Sequence, residues 1–403
     1  MSLKLAPRLA AIKPSPTLAL NAKAKALAAK GADVISFAAG EPDFDTPAVI
    51  RKAAVEAIES GFTKYTATAG IPELRAAIAD KLKRENALEF APEQILVSVG
   101  AKHSLYNIFQ ALLAEGDQVV VFAPYWVSYP DMVRLAGGEP VILETKEEDG
   151  YAPDPAALKN ALGPRVKAVI LNSPSNPTGA VLPEAKLRGI AEVLRGHDCL
   201  VVTDDIYEKL LYLDRPFQNI ANVAPGLQER TVVVNGFSKA FSMTGWRLGY
   251  AAGPKELIAA MQMIQDQSTS NPASMVQKAG VAALKGPQDE LHSELQKMVS
   301  EFKARRDLIV AGLNAIEGIR CRTPEGAFYA FPDVRRLLDG RYKGERIGTS
   351  LRLSEILLDE FQIAAVPGQS FGAEGYLRLS FATSRSAIEK GLERLRKLAS
   401  QIG

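Results

Sequence analysis

Histidine is scarce. The 403-residue chain holds three, His103, His197 and His292, far apart and none in an HExxH spacing. A metal hydrolase built on histidine ligands is therefore disfavoured. Cysteine is scarcer still: Cys199 and Cys321 are too few for a disulfide framework or a zinc site, and fit a reducing compartment. No apolar run approaches the length of a membrane span. Neither sign of charge is in excess. Lys plus Arg is 48, Asp plus Glu is 46, and a net charge of +2 advertises no nucleic-acid partner. The chain also lacks GxGxxG, GxxxxGK[ST], an internal repeat and any low-complexity tract, so the dinucleotide fingerprint and the P-loop are both missing.

What remains is an ordinary globular composition, 47% apolar and 23% charged. The length exceeds what one core usually supports, which predicts two domains. Short β runs alternate with helical patterns through the middle of the chain. Gln94–Val99, Gln118–Phe122, Lys167–Leu171, Cys199–Val202 and Thr231–Val234 read as strands. They are apolar on both faces, as strands between two helix layers must be. From Ala101, the residues Leu105, Ile108, Phe109, Leu112 and Leu113 recur at helical spacing. Strand, crossover and strand in this rhythm imply a mostly parallel sheet with right-handed connections. After about residue 286 the texture changes. A charged helical stretch, Asp289–Ile316, precedes β runs at Ala327–Phe331 and Tyr376–Phe381, which together predict a smaller α+β domain.

In an open parallel sheet, ligands bind beyond the carboxyl ends of the strands. Gly100-Ala101-Lys102 follows the first strand and Tyr125-Trp126 the second. Asn172 and the turn Asn176–Gly179 follow the third, Asp204 and Tyr207 the fourth, and Asn235–Lys239 the fifth. Gly100 opens a helix whose free N–H groups favour an anion such as phosphate. Ser238 and Arg247 flank Lys239 and suit the same anion. A lysine beside phosphate-binding groups, with an aspartate on a neighbouring strand, is the layout that pyridoxal phosphate (PLP) requires. The amine forms a Schiff base with the aldehyde, and the carboxylate keeps the ring nitrogen protonated.

Several runs then match one family in order. VNGFSKAFSMTGWRLGY (Val234–Tyr250) resembles the lysine motif of the class I aminotransferases, PLP enzymes of fold type I. So do AAGEPDFDTP (Ala38–Pro47), KYTATAGIPELR (Lys64–Arg75), PYWVSYP (Pro124–Pro130), NSPSNPTGAV (Asn172–Val181), DDIYE (Asp204–Glu208) and YLRLSFATS (Tyr376–Ser384). The resemblance runs from about Lys13 to the C-terminus and is greatest to the bacterial and archaeal aspartate aminotransferase branch. It implies an α/β fold of the PLP-transferase type I. A large domain, 46–285, would carry a mostly parallel seven-stranded sheet sandwiched by helices. The N-terminal arm, 1–45, would join a small α+β domain, 286–403. Residues 1–32 carry six basic residues and no acidic one. They read as this arm rather than a transit peptide, because the resemblance begins inside them.

The family roles follow by resemblance. Lys239 is the Schiff-base lysine and proton carrier, and Asp204 pairs with the ring nitrogen. Asn176 and Tyr207 bond the phenolic oxygen, and Trp126 stacks on the ring. Gly100, Ala101, Lys102, Ser238 and Arg247 surround the phosphate. Tyr65 reaches the phosphate of a neighbouring subunit, which implies a homodimer with shared sites. Arg378 clamps the substrate α-carboxylate, while Gly40, Trp126, Asn172 and Asn176 also face substrate. Lys102, in the first turn of a helix where a cation is locally unfavourable, would read the distal carboxylate of aspartate or glutamate. Lys13 would add charge for a bulkier dicarboxylate such as prephenate. Two positions depart from the family pattern: Ala101 where a second glycine is frequent, and Pro16 in the arm. The expected enzyme is a cytoplasmic aspartate aminotransferase (EC 2.6.1.1) taking small amino acids and 2-oxo acids, with no membrane or nucleic-acid partner. Aromatic or other amino donors, and β-elimination on the same scaffold, are the alternatives.

Two unrelated readings fail on the residues. Gly368–Gly372 fits GxSxG, but a nucleophile elbow needs a helix after Ser370 and a later histidine, and neither is present. A regulator built on the same fold would need an added DNA-binding domain with a basic face, for which the pattern leaves no room.

Overall fold

The computed structural model describes residues 3–12 and 16–403. Lys13 therefore lies outside the described residues; Pro16 is the first residue of the helix Pro16–Ala29. The central sheet has seven strands: Ile95–Ser98 (β1), Gln118–Ala123 (β2), Glu139–Glu144 (β3), Val166–Asn172 (β4), Leu200–Asp204 (β5), Thr231–Gly236 (β6) and Gly249–Ala252 (β7). Their spatial order is β1-β7-β6-β5-β4-β2-β3. β7 is antiparallel to both neighbours, and all other pairs are parallel.

Alternation along each strand explains the two layers of helices. Val119, Val121, Ile170, Val202 and Val234 pack with Leu105, Ile108 and Phe109 of the helix Ala101–Leu112. The intervening residues Val120, Val169, Leu171 and Val201 pack with Leu187, Ile190 and Leu194 of the helix Glu184–Arg195. At the β1–β7 end, Val97, Val233 and Ala252 meet Leu74 and Ile78 of Pro72–Asn86 and Ala279 and Ala283 of Ser274–Lys285. With both faces covered, a strand position of either parity buries a side chain, each contributing about 1.5–3 kcal/mol.

Two strands of this sheet are missing from the sequence reading. β3 is an edge strand with alternating exposure, bounded by Glu139 and Glu144 and carrying Pro140, all of which protect an open edge but weaken the β signal. β7 reads GYAA, poor in β-branched residues. Its Gly249 is obligatory for a different reason: a Cβ there would lie 2.3 Å from the backbone nitrogen of Ala101. The other boundaries shift slightly. Cys199 precedes β5, which continues to Asp204.

The C-terminal part combines the helices Gln288–Asn314, Ser350–Phe361 and Arg385–Ala399 with a small antiparallel sheet, ordered Val366–Pro367, Leu377–Ser380, Tyr329–Ala330. The run expected at Ala327–Phe331 is thus a strand only at Tyr329–Ala330, because Ala327 adopts a left-handed φ of 56°. The run at Tyr376–Phe381 is a strand only at Leu377–Ser380. Ser370 lies in a one-turn 3-10 segment, Gly368–Phe371, with no helix behind it. Ile35–Ser36 pairs in parallel with Ile363–Ala364. We propose the division 46–285 against 1–45 plus 286–403 on the strength of this pairing, which fastens the N-terminal segment to the C-terminal one.

A buried ion pair ties the turn after β5 to the helix Pro72–Asn86. Lys81 bonds Glu208, both nearly excluded from solvent. Lys81 also donates to Asn86 Oδ1 at 2.8 Å, and Asn86 Nδ2 donates to Glu208 Oε2 at 2.8 Å. Burial alone would raise the Glu208 pKa, but Lys81 and Lys209 together hold it below the ordinary value. Lys81→Met would strand that carboxylate, at a cost of about 3–5 kcal/mol in urea unfolding. Lys81→Met combined with Glu208→Leu should recover much of the loss. A single variant as stable as the parent would show that the pair does not hold the turn.

Candidate active site

The carboxyl ends of the sheet strands converge on a cavity of about 640 Å³. β4 delivers Asn172 and β5 delivers Asp204, with Tyr207 three residues on. The turn after β6 delivers Ser238 and Lys239, and the helix after β1 delivers Ala101 and Lys102. Trp126 comes from beyond β2, and Gly40 and Arg378 from the N- and C-terminal segments. Twelve of the residues expected from sequence line one space: Gly40, Ala101, Lys102, Trp126, Asn172, Asn176, Asp204, Tyr207, Ser238, Lys239, Arg247 and Arg378. Gly100 stands at the rim as the cap of its helix. Tyr65 is not brought there by its own chain; it is 94% exposed.

One wall is built for an anion. Gly100 has φ 86°, and the helix Ala101–Leu112 begins behind it with unpaired N–H groups facing outward. A Cβ on Gly100 would meet Arg247 Nη2 at 2.7 Å, so only glycine lets the guanidinium close on this helix end. Arg247 is itself in left-handed conformation and is held by the Thr244 carbonyl at 2.9 Å.

The floor is anionic. Asp204 is buried, and its Oδ2 accepts from the Tyr129 hydroxyl at 2.6 Å while Oδ1 accepts from the Ile206 N–H at 3.3 Å. No ion pair reaches it among the described residues. Burial raises its pKa, opposed by the Tyr129 and Ile206 bonds and by the charge of Lys239. Above it, Asn172 Nδ2 donates to the Asp204 carbonyl at 2.8 Å and Asn172 Oδ1 accepts from the Asn176 N–H at 2.9 Å. Asn176 Oδ1 accepts from Arg378 Nη1 at 3.0 Å, which leaves the Asn176 amide N–H groups for a ligand. The Tyr207 and Tyr329 hydroxyls are 2.8 Å apart. Burial pushes the Tyr207 pKa up, so its proton stays available for donation.

Arg378 is buried, with Nη2 on the Ala38 carbonyl at 3.0 Å and its plane over Tyr329 and Phe371. Its Nε–H is buried and has no partner, which is rare for a buried donor. Lys239 donates to the Gly40 carbonyl and lies within 6 Å of the ring centroids of both Tyr207 (5.9 Å) and Phe328 (5.8 Å). Its pKa is lowered to about 8, chiefly by burial and with the help of Arg378 and Arg247, against the opposing charges of Glu41 and Asp204. Lys102 lies over Trp126, 4.8 Å from the ring centroid. Burial, then Arg247, lowers its pKa.

These groups fit a phosphate-bearing pyridine aldehyde. The glycine cradle would take the phosphate, the uncompensated carboxylate a protonated ring nitrogen, and the amine the aldehyde. A profile of the family described as aminotransferase class I and II matches residues 32–395. The chain belongs to that family. Curated relatives include the aspartate/prephenate aminotransferase of Nitrosomonas europaea, 48% identical over 99% of this chain and 100% of that protein. The aspartate aminotransferase of Bacillus subtilis is 45% identical, over 99% and 100%. Among solved structures, the aspartate aminotransferase from Rhizobium meliloti superposes with a TM-score of 0.95 at 43% identity, covering 100% of both chains. That from Thermus thermophilus, solved with maleate, gives 0.93 at 45%, covering 98% and 100%.

Other parts of this aminotransferase's site escaped the sequence reading, Lys25 and Thr244 among them. Tyr129, Tyr329 and Glu41 line the same cavity. Each lies inside a run singled out above, PYWVSYP, Ala327–Phe331 and AAGEPDFDTP, but nothing in the spacing says which aromatic or acid turns inward. The low Lys239 pKa has a direct readout. In the cofactor-free protein, acetylation of Lys239 by acetic anhydride should rise about tenfold per pH unit and level off near pH 8. Exposed lysines should keep rising toward ~10.4. A Lys239 profile that also climbs to that value would show that the amine is not desolvated.

Proposed function

We propose that this aminotransferase is a PLP-dependent aspartate aminotransferase. It moves the amino group between L-aspartate or L-glutamate and oxaloacetate or 2-oxoglutarate in two alternating half-reactions. One observation carries the reading: a single cavity holds an amine poised to lose its proton, an uncompensated carboxylate beneath it, and two separate cations, Arg378 and Lys102, for the two carboxylates of a dicarboxylic substrate. The names of its relatives, and the maleate in the Thermus structure, support the dicarboxylate.

When bound, PLP supplies an electrophilic aldehyde and a protonated ring that withdraws electrons from the substrate Cα. The protein's residues do the rest. Asp204 keeps the ring nitrogen protonated. The Asn176 amide and the Tyr207 hydroxyl donate to the phenolic oxygen, and Trp126 covers a ring face. Gly100, Ala101, Ser238 and Arg247 receive the phosphate. Arg378 takes the α-carboxylate through its fork of N–H groups, and Lys102 takes the distal carboxylate. Lys239 would hold the cofactor's aldehyde and carry the proton at the substrate Cα, a task for which a pKa near 8 is suited.

The proposed assembly is a homodimer. Tyr65, Val55, Ile58 and Met263 are more than half exposed in the single chain, and Tyr65 would complete a partner's phosphate site. No helix among the described residues is long and apolar enough to cross a membrane, and the proposed location is the cytoplasm. Prephenate is a second acceptor favoured by the 48% identity to the Nitrosomonas enzyme.

The test is to add L-aspartate, without any oxo acid, to the purified yellow protein. The near-visible cofactor band should move and oxaloacetate should appear in a single stoichiometric burst. A band that ignores aspartate and responds to another amino acid would discard the substrate. Lys239→Ala should abolish turnover with the fold intact. Lys102→Met should lower kcat/KM for aspartate about tenfold or more relative to alanine, the worth of a charge-assisted bond. Equal losses for both would remove Lys102 from distal-carboxylate recognition.

A further inference from the structure

The cavity wall carries five cationic side chains, Lys25, Lys102, Lys239, Arg247 and Arg378, and two carboxylates, Asp204 and Glu41. Asp204 is buried in the floor and engaged by Tyr129. Glu41 is different. It is exposed at the mouth, directly after Gly40, whose carbonyl receives the Lys239 ammonium. Its Oε2 accepts from Thr244 Oγ1 at 2.9 Å, and Thr244 belongs to the turn that follows Lys239. Backbone and side chain are thus both fastened beside the reacting amine. No cation pairs with the Glu41 carboxylate among the described residues, and its Oε1 has no protein donor there. Its charge already acts on Lys239, opposing the burial that lowers that group's pKa.

The two substrates of an aminotransferase present the same carboxylates and differ at Cα. The amino acid arrives with an ammonium, the oxo acid with a neutral carbonyl. Arg378 and Lys102 address carboxylates and cannot separate the two. A carboxylate beside the reacting amine can, because it attracts only the ammonium, while its repulsion of the substrate carboxylates is common to both. We propose that Glu41 receives the α-ammonium of the incoming amino acid and so determines the preference of the site for amino donor over oxo acid. The inference rests on the dicarboxylate reading above and adds a residue to it.

The experiment uses the PLP-loaded enzyme and two dicarboxylates that cannot turn over, in titration calorimetry. α-Methyl-L-aspartate has the amine but no Cα hydrogen; succinate has neither amine nor carbonyl. The readout is the ratio of their dissociation constants. In Glu41→Gln the ratio should move about fivefold toward succinate, the worth of one solvent-accessible ion pair. KM for L-aspartate should rise relative to KM for 2-oxoglutarate by a similar factor. Glu41→Asp should keep part of the preference. The melting temperature should stay at the parent value, since Glu41 is exposed. An unchanged ratio in Glu41→Gln, with both analogues still bound, overturns the role of Glu41 and leaves the dicarboxylate reading intact. A parent enzyme that binds neither analogue removes the dicarboxylate reading, and the role of Glu41 falls with it.

Discussion

The buried carboxylate of Asp204 is the constraint around which the rest is arranged. Taking a carboxylate out of water is costly unless a cation or several donors replace the solvent. Asp204 has two neutral donors, the Tyr129 hydroxyl and the Ile206 N–H, and no cation in ion-pair reach among the described residues. A protonated pyridine ring would supply the missing charge, so the floor of the cavity is complementary to the proposed cofactor. The turn that follows β5 sorts its residues by side. Asp204 and Tyr207 face the cavity, while Asp205 bonds Asn219 and Glu208 bonds Lys81 and Asn86. The second set holds the turn from behind, and the first presents the chemistry.

The same cations serve recognition and reactivity. Arg378 and Arg247 lie in the wall for carboxylate and phosphate, yet both also press on Lys239, and with burial they outweigh the opposing charges of Glu41 and Asp204. An excess of positive charge over one mouth draws in dianionic substrates. It also keeps the lysine close to the pH at which it can accept and return a proton. Binding and catalysis are coupled here through electrostatics rather than through any single contact. Removing one guanidinium would therefore disturb the lysine as well as the ligand.

Much of this was legible in the sequence because the chemistry lies at strand ends. Asn172, Asp204 and Lys239 each follow an apolar run within a few residues, and the rule that ligands bind beyond the carboxyl ends of parallel strands gathers them without a structure. The sheet itself was legible wherever both faces are covered, as in β2 and β4–β6. It was not legible at β3, whose exposed edge breaks the apolar signal, nor at β7, where close approach to Ala101 demands Gly249 and leaves GYAA too small to look like a strand. Glu41 and Tyr329 were missed for a different reason. Their inward orientation depends on the N- and C-terminal segments folding back over the sheet edge, a long-range event that no local pattern encodes.

Arg378 shows why that fold-back matters. It stands on the strand Leu377–Ser380, donates to the Asn176 side chain beyond β4 and to the Ala38 carbonyl of the N-terminal segment, and rests on Tyr329 and Phe371. One planar group therefore joins three distant stretches of chain. Its Nε–H is buried without a partner, and its planar fork of N–H groups is the donor geometry that matches a carboxylate. A lysine would place a charge at the same depth. It would lose the flat face that stacks on the two rings and the fixed, planar arrangement of donors that holds Asn176 and Ala38 together. The residue proposed to clamp the substrate is also the one that closes the structure around the cavity, so the site is complete only when the N- and C-terminal segments have met over the sheet.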